Sequence, residues 1–302
     1  MKKYLLYICL FFGVLFVIDR AVGVGCEYLK SHAKGGDQGN AYYICKRSDE
    51  RVLIFGSSRA NHHYVPQIFE DSLGLTCYNC GVDGNGIIFH YGRLLMITKR
   101  YKPDLILYDI NPVFDCQEGD NMKFLDALKP YYDENGIDSI FGAVNSNEKY
   151  KMCSYMYRYN HKFVQMLSDC IKPQQIVIKG YKPLYGTMIY EPENETKNLD
   201  EHRLDPLKMN YLRKFIALCK EEEIHLVFTA SPLWNGKGEE YLNPIIKLCT
   251  DQGVPFINHY SDKDFCHTKL YFEDSVHMND KGAKRFSSVI VSALRKMKIV
   301  TD

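Results

Sequence analysis

Short apolar runs alternate with amphipathic helical patterns along most of this 302-residue chain. The runs are rich in Val, Ile, Leu and Phe, and most are followed by a turn and then by apolar residues at helical spacing. Such alternation predicts an α/β fold with three layers, in which a central, mainly parallel sheet is covered by helices on both faces. The predicted strands are 51–55, 76–80, 104–110, 224–229 and 254–258, and the predicted helices are 66–73, 87–100, 207–223, 241–252 and 280–296.

The stretch from about 112 to 205 interrupts this alternation and is rich in tyrosine. Two helices are predicted in it, over 123–132 and 149–171, followed by a turn-rich segment over 180–186 and an acidic loop over 191–201. We interpret the stretch as a helical insertion beside the carboxyl ends of the strands, where open α/β sheets bind their ligands. A packing role alone is the alternative, because tyrosine rings are also good core material.

The chain begins with Lys2 and Lys3, an apolar run over 4–18, and then Asp19 and Arg20. A positive start followed by an apolar stretch of this length is typical of a signal peptide or a short membrane anchor. Because no small-residue cleavage site follows directly, we predict an uncleaved anchor. Its lysines are expected inside, and the rest of the chain in the periplasm or outside the cell.

The predicted organisation is a membrane anchor or signal segment over 1–24, a polar, glycine-rich spacer over 25–50 and one α/β domain over 51–302. Cleavage with secretion, and lipidation at Cys26 after a lipobox-like stretch, stay open as alternatives. A cytosolic protein with a buried first helix is the least favoured of the readings.

The net charge and the cysteines limit the kinds of ligand that the sequence predicts. The formal net charge of +1 gives no electrostatic case for nucleic acid binding. Of the eleven cysteines, Cys9 lies in the apolar run, and the ten in the part expected outside the cytoplasm would permit disulfides in an oxidising compartment. Cys77 and Cys80 form a C-x-x-C pair inside a predicted strand, and no second pair completes a zinc site, so we expect small buried hydrophobes. We predict neither a metal nor a cofactor.

Two motifs near opposite ends of the α/β pattern complement each other chemically. The first predicted strand ends in Gly56-Ser57-Ser58, and the last predicted helix is preceded by Asp274-Ser275-Val276-His277. A serine nucleophile needs an adjacent base, and the base needs a partner that fixes its tautomer. Each motif alone is more often structural, as a capped turn, but their joint occurrence predicts a Ser-His-Asp site.

With these motifs in this order, the chain from about Arg51 to Ile299 resembles the SGNH (GDSL-type) hydrolases. Among them it resembles the membrane-anchored, DltD-like and alginate-acetylation-like relatives that accompany cell-envelope O-acylation. The resemblance implies a flavodoxin-like form of the α/β sheet. In the family's first block the third position is the nucleophile, which singles out Ser58, and the last block implies His277 as base and Asp274 as its carboxylate.

The same resemblance implies an oxyanion hole formed by the Ser58 N–H, the Gly84 N–H and the Asn111 side chain. Gly84 matches the family's second block better than Gly81 does, and Asn111 follows the third predicted strand. The chain departs from the family in having Ser57 instead of an aspartate in the first block, and Asp109 where a glycine usually precedes the asparagine. For Asn111 the alternative is that it only caps a turn.

The resemblance implies a serine esterase or O-acyltransferase that acts on a cell-envelope polysaccharide. The reaction would pass through an acyl-serine, and the expected acyl group is acetyl. Its substrates would be a carbohydrate and an acyl ester, and a membrane-embedded acyltransferase is a candidate partner. A simple carbohydrate esterase is one alternative. The other is a catalytically inactive carbohydrate-binding or scaffold protein on the same frame, since fold and motif do not establish activity.

Overall fold

The computed structural model describes residues 1–160, 162–171, 177–189 and 203–299. The strands are β1 (Val52–Gly56), β2 (Cys77–Asn79), β3 (Leu105–Asp109), β4 (His225–Ala230) and β5 (Phe256–Asn258). The α-helices are α1 (Lys2–His32), α2 (Gly36–Lys46), α3 (Ser58–His63), α4 (Pro66–Leu73), α5 (Ile87–Thr98), α6 (Pro112–Asp115), α7 (Ile137–Val144), α8 (Glu148–Lys151), α9 (Tyr155–Tyr159), α10 (Lys162–Ile171), α11 (Pro206–Glu221), α12 (Asn243–Gln252) and α13 (Asp280–Met297). Short 3-10 helices cover Lys123–Tyr131, Glu239–Leu242 and Lys269–Tyr271.

The sheet has the order β2-β1-β3-β4-β5, and every neighbouring pair of strands is parallel. On one face, Ile54 and Leu107 belong to a core cluster that includes four buried apolar residues of α13, namely Phe286, Ile290, Val291 and Leu294. On the other face, the rings of Phe55 and Tyr108 meet the ring of Phe215 from α11 edge-on. Helices therefore cover both faces, which confirms the predicted three-layer α/β fold.

The carboxyl ends of β1, β3 and β4 lie side by side. Gly56 at the end of β1 is in register with Asp109 at the end of β3, and Asp109 is in register with Thr229 of β4. In a parallel sheet all strands point the same way, so α3, α6 and the loop after β4 all begin at one edge. Side chains far apart in sequence can meet there.

Residues 48–124 and 176–302 form the compact unit that contains the sheet, and residues 1–47 and 125–175 form a second, helical unit. The predicted insertion over 112–205 is therefore divided: its first part belongs to the sheet unit, and 125–175 belongs to the helical unit. The predicted acidic loop over 191–201 lies outside the described residues.

Two local predictions in the helical unit differ from the structure. Instead of the expected spacer over 25–50, α1 and α2 extend to Lys46, because this stretch has buried apolar side chains of its own, among them Cys26 and Ile44. Instead of one helix over 149–171 there are three. The reason at one break is Ser154, whose hydroxyl caps α9 by accepting the Tyr157 N–H at 3.3 Å.

Helix α1 is long and apolar enough to cross a membrane, with a mean hydropathy of 2.2 over a window in which no residue is buried. This is compatible with a signal anchor. Beyond that window the helix joins the core of the helical unit. Asp19 accepts the N–H of Met156 at 2.9 Å, and Cys26 is fully buried in a cluster with Tyr159 and Met166.

Candidate active site

Ser58 is the first residue of α3, in the turn that follows β1. The turn requires glycine at position 56, where φ is +137° and a Cβ atom would lie 2.5 Å from the carbonyl oxygen of Asp109. Ser57 is the N-cap residue and is fully buried, whereas Ser58 keeps part of its surface exposed. The turn thus exposes Ser58, and not Ser57, at the carboxyl edge of the sheet.

The loop between Phe272 and Met278 carries the predicted base and carboxylate. An antiparallel bridge joins these two buried residues and closes the loop. Within it, Asp274 Oδ1 accepts the N–H groups of Val276 and His277, each at 2.7 Å, and Asp274 Oδ2 lies 2.9 Å from His277 Nδ1. Burial raises the pKa of Asp274, but the hydrogen bonds from His277 and Val276 outweigh burial and lower it to about 2. The carboxylate is therefore ionised at neutral pH.

The structure brings the three predicted catalytic residues into one line. His277 Nε2 lies 2.8 Å from Ser58 Oγ, and His277 Nδ1 faces the Asp274 carboxylate. Because a carboxylate only accepts hydrogen bonds, Nδ1 carries the ring proton and Nε2 is left to accept the serine proton. Such a line can activate the Ser58 hydroxyl for attack on an ester carbonyl.

Asn111 both caps a helix and faces the nucleophile turn. Its Oδ1 accepts the Val113 N–H at 3.3 Å at the start of α6, which is the capping contact of the alternative reading. Its Nδ2 donates to Ser57 Oγ at 3.2 Å, next to Ser58. The capping contact uses only the amide oxygen. The amide nitrogen carries two hydrogens, so one of them is left for an oxyanion when the other is donated to Ser57.

The loop after β2 lies beside the same turn, because Val82 N–H donates to the Gly56 carbonyl oxygen at 3.0 Å. The Gly81 N–H is already engaged, donating to Asn79 Oδ1 at 2.9 Å. Gly84 stands further along the loop with φ of +69°, a conformation that favours glycine. Of the two glycines considered from the sequence, Gly84 therefore stays the better candidate for an oxyanion donor.

Two consecutive histidines on α3, His62 and His63, belong to the site although no predicted motif includes them. The His62 ring meets the His277 ring edge-on with centroids 5.3 Å apart, and its Nδ1 lies 2.7 Å from the Lys182 carbonyl oxygen. Burial lowers the pKa of both histidines, that of His63 to well below its usual range. Helical spacing was the available signal, because a residue four positions after Ser58 lies on the same face of the helix.

The described residues contain no group of three or more His, Cys, Asp or Glu side chains that could hold a metal ion. Cys77 and Cys80 are fully buried, and burial raises the pKa of the Cys77 thiol well above its usual range. Buried, protonated thiols pack as small hydrophobes, the role predicted for this pair. All eleven cysteines lie in the described residues, and none of them forms a disulfide there.

No family model and no curated protein matches the chain. Among solved structures, it is similar to a G-D-S-L family protein from Desulfitobacterium hafniense DCB-2, with 9% identity and a TM-score of 0.42 over 80% of this chain and 98% of that one. It is also similar to the acetyl xylan esterase AlAXEase, with 13% identity and a TM-score of 0.42 over 80% and 99% of the two chains.

A further similar structure is a catalytic mutant of an acetylxylan esterase from Geobacillus stearothermophilus, with 11% identity and a TM-score of 0.41. The match covers 84% of this chain and 98% of that one. These likenesses are loose, and the chemical assignment rests on the geometry of Ser58, His277 and Asp274. Fold and site together define an α/β protein with a Ser-His-Asp line at the carboxyl edge of its parallel sheet.

Proposed function

We propose that this protein is an SGNH-type serine esterase or O-acyltransferase that acts outside the cytoplasm on an O-acyl group, expected to be acetyl, of a cell-envelope polysaccharide. One observation carries the proposal: Asp274, His277 and Ser58 form a continuous hydrogen-bonded line with distances of 2.9 and 2.8 Å. The three residues stand in the order and setting in which the SGNH hydrolases carry their nucleophile, carboxylate and base.

In the proposed reaction, Ser58 Oγ attacks the ester carbonyl carbon while its proton passes to His277 Nε2. The bond between that carbon and the alcohol oxygen then breaks, and the leaving alcohol takes the proton from His277. Water in hydrolysis, or a sugar hydroxyl in transfer, next attacks the acyl carbon and gives its proton to His277. The bond between that carbon and Ser58 Oγ then breaks, the acid or the new sugar ester leaves, and His277 returns the proton to Ser58 Oγ. Asp274 orients the ring and stabilises its charged form throughout.

Negative charge develops on the carbonyl oxygen in both steps. In the proposal the Ser58 N–H, the Gly84 N–H and Asn111 Nδ2 stabilise this oxyanion. A single preorganised donor of this kind typically contributes about 2.7–4 kcal/mol to lowering the barrier. The placement of Asn111 Nδ2 against Ser57 and of the Val82 amide against Gly56 supports this arrangement, because both contacts lie at the nucleophile turn.

An exposed tyrosine beside the catalytic loop supports a carbohydrate substrate. The Leu184 carbonyl accepts the Asp280 N–H at 2.6 Å, and the Gly186 carbonyl accepts Asn279 Nδ2 at 2.9 Å. The backbone on both sides of Tyr185 is thus tied to residues that directly follow the catalytic loop, while the Tyr185 side chain is 71% exposed. Aromatic rings with one polar end suit contact with sugar rings.

The contacts of α1 support an anchor that is retained. A Cβ atom on Gly23 would lie 2.6 Å from the ring of Tyr155, so helix and ring are in close contact, and Cys26 is fully buried. Cleavage before Cys26 would remove Asp19 and Gly23 from the helical unit, which favours the uncleaved anchor over secretion or lipidation. In this proposal a membrane-embedded acyltransferase is the partner that would supply the acyl group.

The test is active-site labelling of the full-length protein in detergent. A fluorophosphonate probe should modify Ser58, as mapped by mass spectrometry, and Ser58→Ala and His277→Ala should each remove the label. Ser275→Ala is the matched control, because Ser275 lies in the same loop as His277 and should leave labelling unchanged. A folded protein that takes no label, or takes it at another serine, would contradict the proposed chemistry and favour a binding or scaffold role.

Unlabelled enzyme from the preparation in which the probe modifies Ser58 would then be incubated with an activated acetyl ester, with and without soluble oligosaccharide. Release of acetate alone indicates hydrolysis. Appearance of acetylated oligosaccharide indicates transfer.

A further inference from the structure

A buried chain of hydrogen bonds connects the sheet to the catalytic loop. The Met278 N–H donates to His63 Nε2 at 2.9 Å, and His63 Nδ1 lies 3.0 Å from Ser231 Oγ. The Ser231 hydroxyl in turn donates to Asp109 Oδ2 at 3.0 Å. His63, Ser231 and Asp109 are fully buried, and Met278 is the residue directly after His277.

The Met278 N–H sets the direction of the hydrogen bonds in this chain. A backbone N–H can only donate, so His63 Nε2 must be the acceptor and carries no proton. A neutral ring then has its proton on Nδ1, which donates to Ser231 Oγ, and the serine hydroxyl is free to donate to the carboxyl group. Burial holds the pKa of His63 well below its usual range, which keeps the ring in this neutral form.

The far end of the chain is fixed to the sheet. Besides the Ser231 hydroxyl, Asp109 accepts the Ser231 N–H and the Tyr64 hydroxyl, each at 2.8 Å. Arg59 Nε lies 3.8 Å from the same carboxyl group. Asp109, the last residue of β3, is thus held by Arg59 of α3, by Tyr64 directly after α3 and by Ser231 after β4. The chain transmits that fixed position to the Met278 amide.

We propose that His63 is a positioning residue, which holds the Met278 amide and thereby keeps His277 Nε2 within reach of Ser58 Oγ. The inference rests on the proposed roles of Ser58 and His277. It also gives a role to Asp109, the residue that replaces a glycine of the family pattern. Asp109 provides the sheet-bound end of the chain, and Ser231 connects it to His63.

The test compares two amide replacements of His63. In His63→Gln the side-chain oxygen can reach the position of Nε2 and still accept the Met278 N–H. In His63→Asn the shorter amide can reach the position of Nδ1 and contact Ser231, but it cannot reach Met278. We expect His63→Asn to lower kcat about 100-fold with KM unchanged, as a small misplacement of a catalytic group does, and His63→Gln to recover most of that loss.

A second pair of variants controls for a general loss of stability. Ser231→Ala breaks the chain, whereas Ser48→Ala removes another fully buried hydroxyl, one that accepts a hydrogen bond from Arg100 Nη2 at 3.0 Å and precedes β1, at the opposite end of that strand from Ser58. Both should lower the unfolding temperature. Only Ser231→Ala should lower kcat, by about 10-fold or more.

Amide hydrogen exchange over 272–278, followed by mass spectrometry, gives a readout that needs no catalysis. Exchange should be faster in His63→Asn and Ser231→Ala than in His63→Gln and Ser48→Ala. Equal exchange and equal kcat within each pair would overturn the proposal. If the unsubstituted protein fails to react with a fluorophosphonate, the proposed function fails, and the exchange comparison still decides whether His63 holds the loop.

Discussion

The two sides of the candidate active site are held in place by different means. The nucleophile side is part of the sheet: all five residues of β1 are buried, and Ser58 follows them directly at the start of α3. The base side is a short loop at the protein surface, where the Asp274 side chain is 53% exposed. The position of Ser58 therefore depends on strand pairing, and the position of His277 depends on a few local hydrogen bonds.

This difference has an energetic consequence. Strand pairing and core packing are shared among many residues, so the nucleophile turn is as stable as the fold itself. The loop of His277 has the Phe272–Met278 bridge, the Asp274 contacts and the bond from Met278 to His63. Substitutions on the loop side should change rate more than stability, and substitutions on the sheet side should change stability as well.

The largest expected effect comes from breaking the line that joins the two sides. Ser58→Ala and His277→Ala should each lower kcat for an activated ester by about a million-fold, and Asp274→Asn by about ten-thousand-fold. Because Asp274 and His277 lie at the surface, their variants should unfold within a few degrees of the native protein in thermal denaturation. Near-native turnover in either alanine variant would refute the assignment.

A smaller effect separates the two roles of Asn111 on the sheet side. Asn111→Asp keeps the oxygen that caps α6 and removes the N–H donors, so kcat should fall about 100- to 1,000-fold with the unfolding temperature preserved. Asn111→Ala removes both and should also cost about 1 kcal/mol of stability. Steady-state kinetics and thermal unfolding measure the two quantities. Native kcat in Asn111→Asp would leave Asn111 with the capping role alone.

The smallest effect concerns His90, which packs behind the nucleophile strand against the rings of Phe55, Phe89 and Tyr108. Burial lowers the pKa of His90 well below its usual range. In the unfolded chain a histidine gains its proton near pH 6.5, so between that pH and the lower folded-state pKa the unfolded state binds more protons. The contribution of His90 to stability is therefore complete above about pH 6.5 and is lost as the pH falls.

His90→Phe removes this dependence while keeping a ring in place. When the pH is lowered from about 7.5 to about 5.5, the free energy of unfolding of the native protein should fall by on the order of 1 kcal/mol more than that of the variant, as measured by urea unfolding. A stability difference that is the same at both pH values would show that His90 does not titrate in this way. The effect should be on stability alone, with kcat at neutral pH unchanged.

Much of the architecture followed from periodicity. Each of the five predicted strands is present within a few residues, because a buried parallel strand needs a short apolar run, and the helix over 66–73 has the predicted bounds. Helix caps and breaks within helices were harder to predict from the sequence. The helix predicted over 149–171 is divided where the Ser154 hydroxyl competes with the helical pattern, and the apolar content of 25–50 did not reveal that α1 and α2 pack with 125–175.

By itself the sequence determined which residue types stand at the turns: a glycine where a Cβ would collide, a serine after it, and a histidine that a nearby aspartate can orient. These are local properties, set by neighbours within a few positions. Only the tertiary structure decided that Ser58 and His277 meet at 2.8 Å, that Asn111 faces Ser57, and that His63 reaches Met278. The physical reason is that parallel strands gather their carboxyl ends at one edge, so contacts there depend on sheet order and register, which no local pattern encodes.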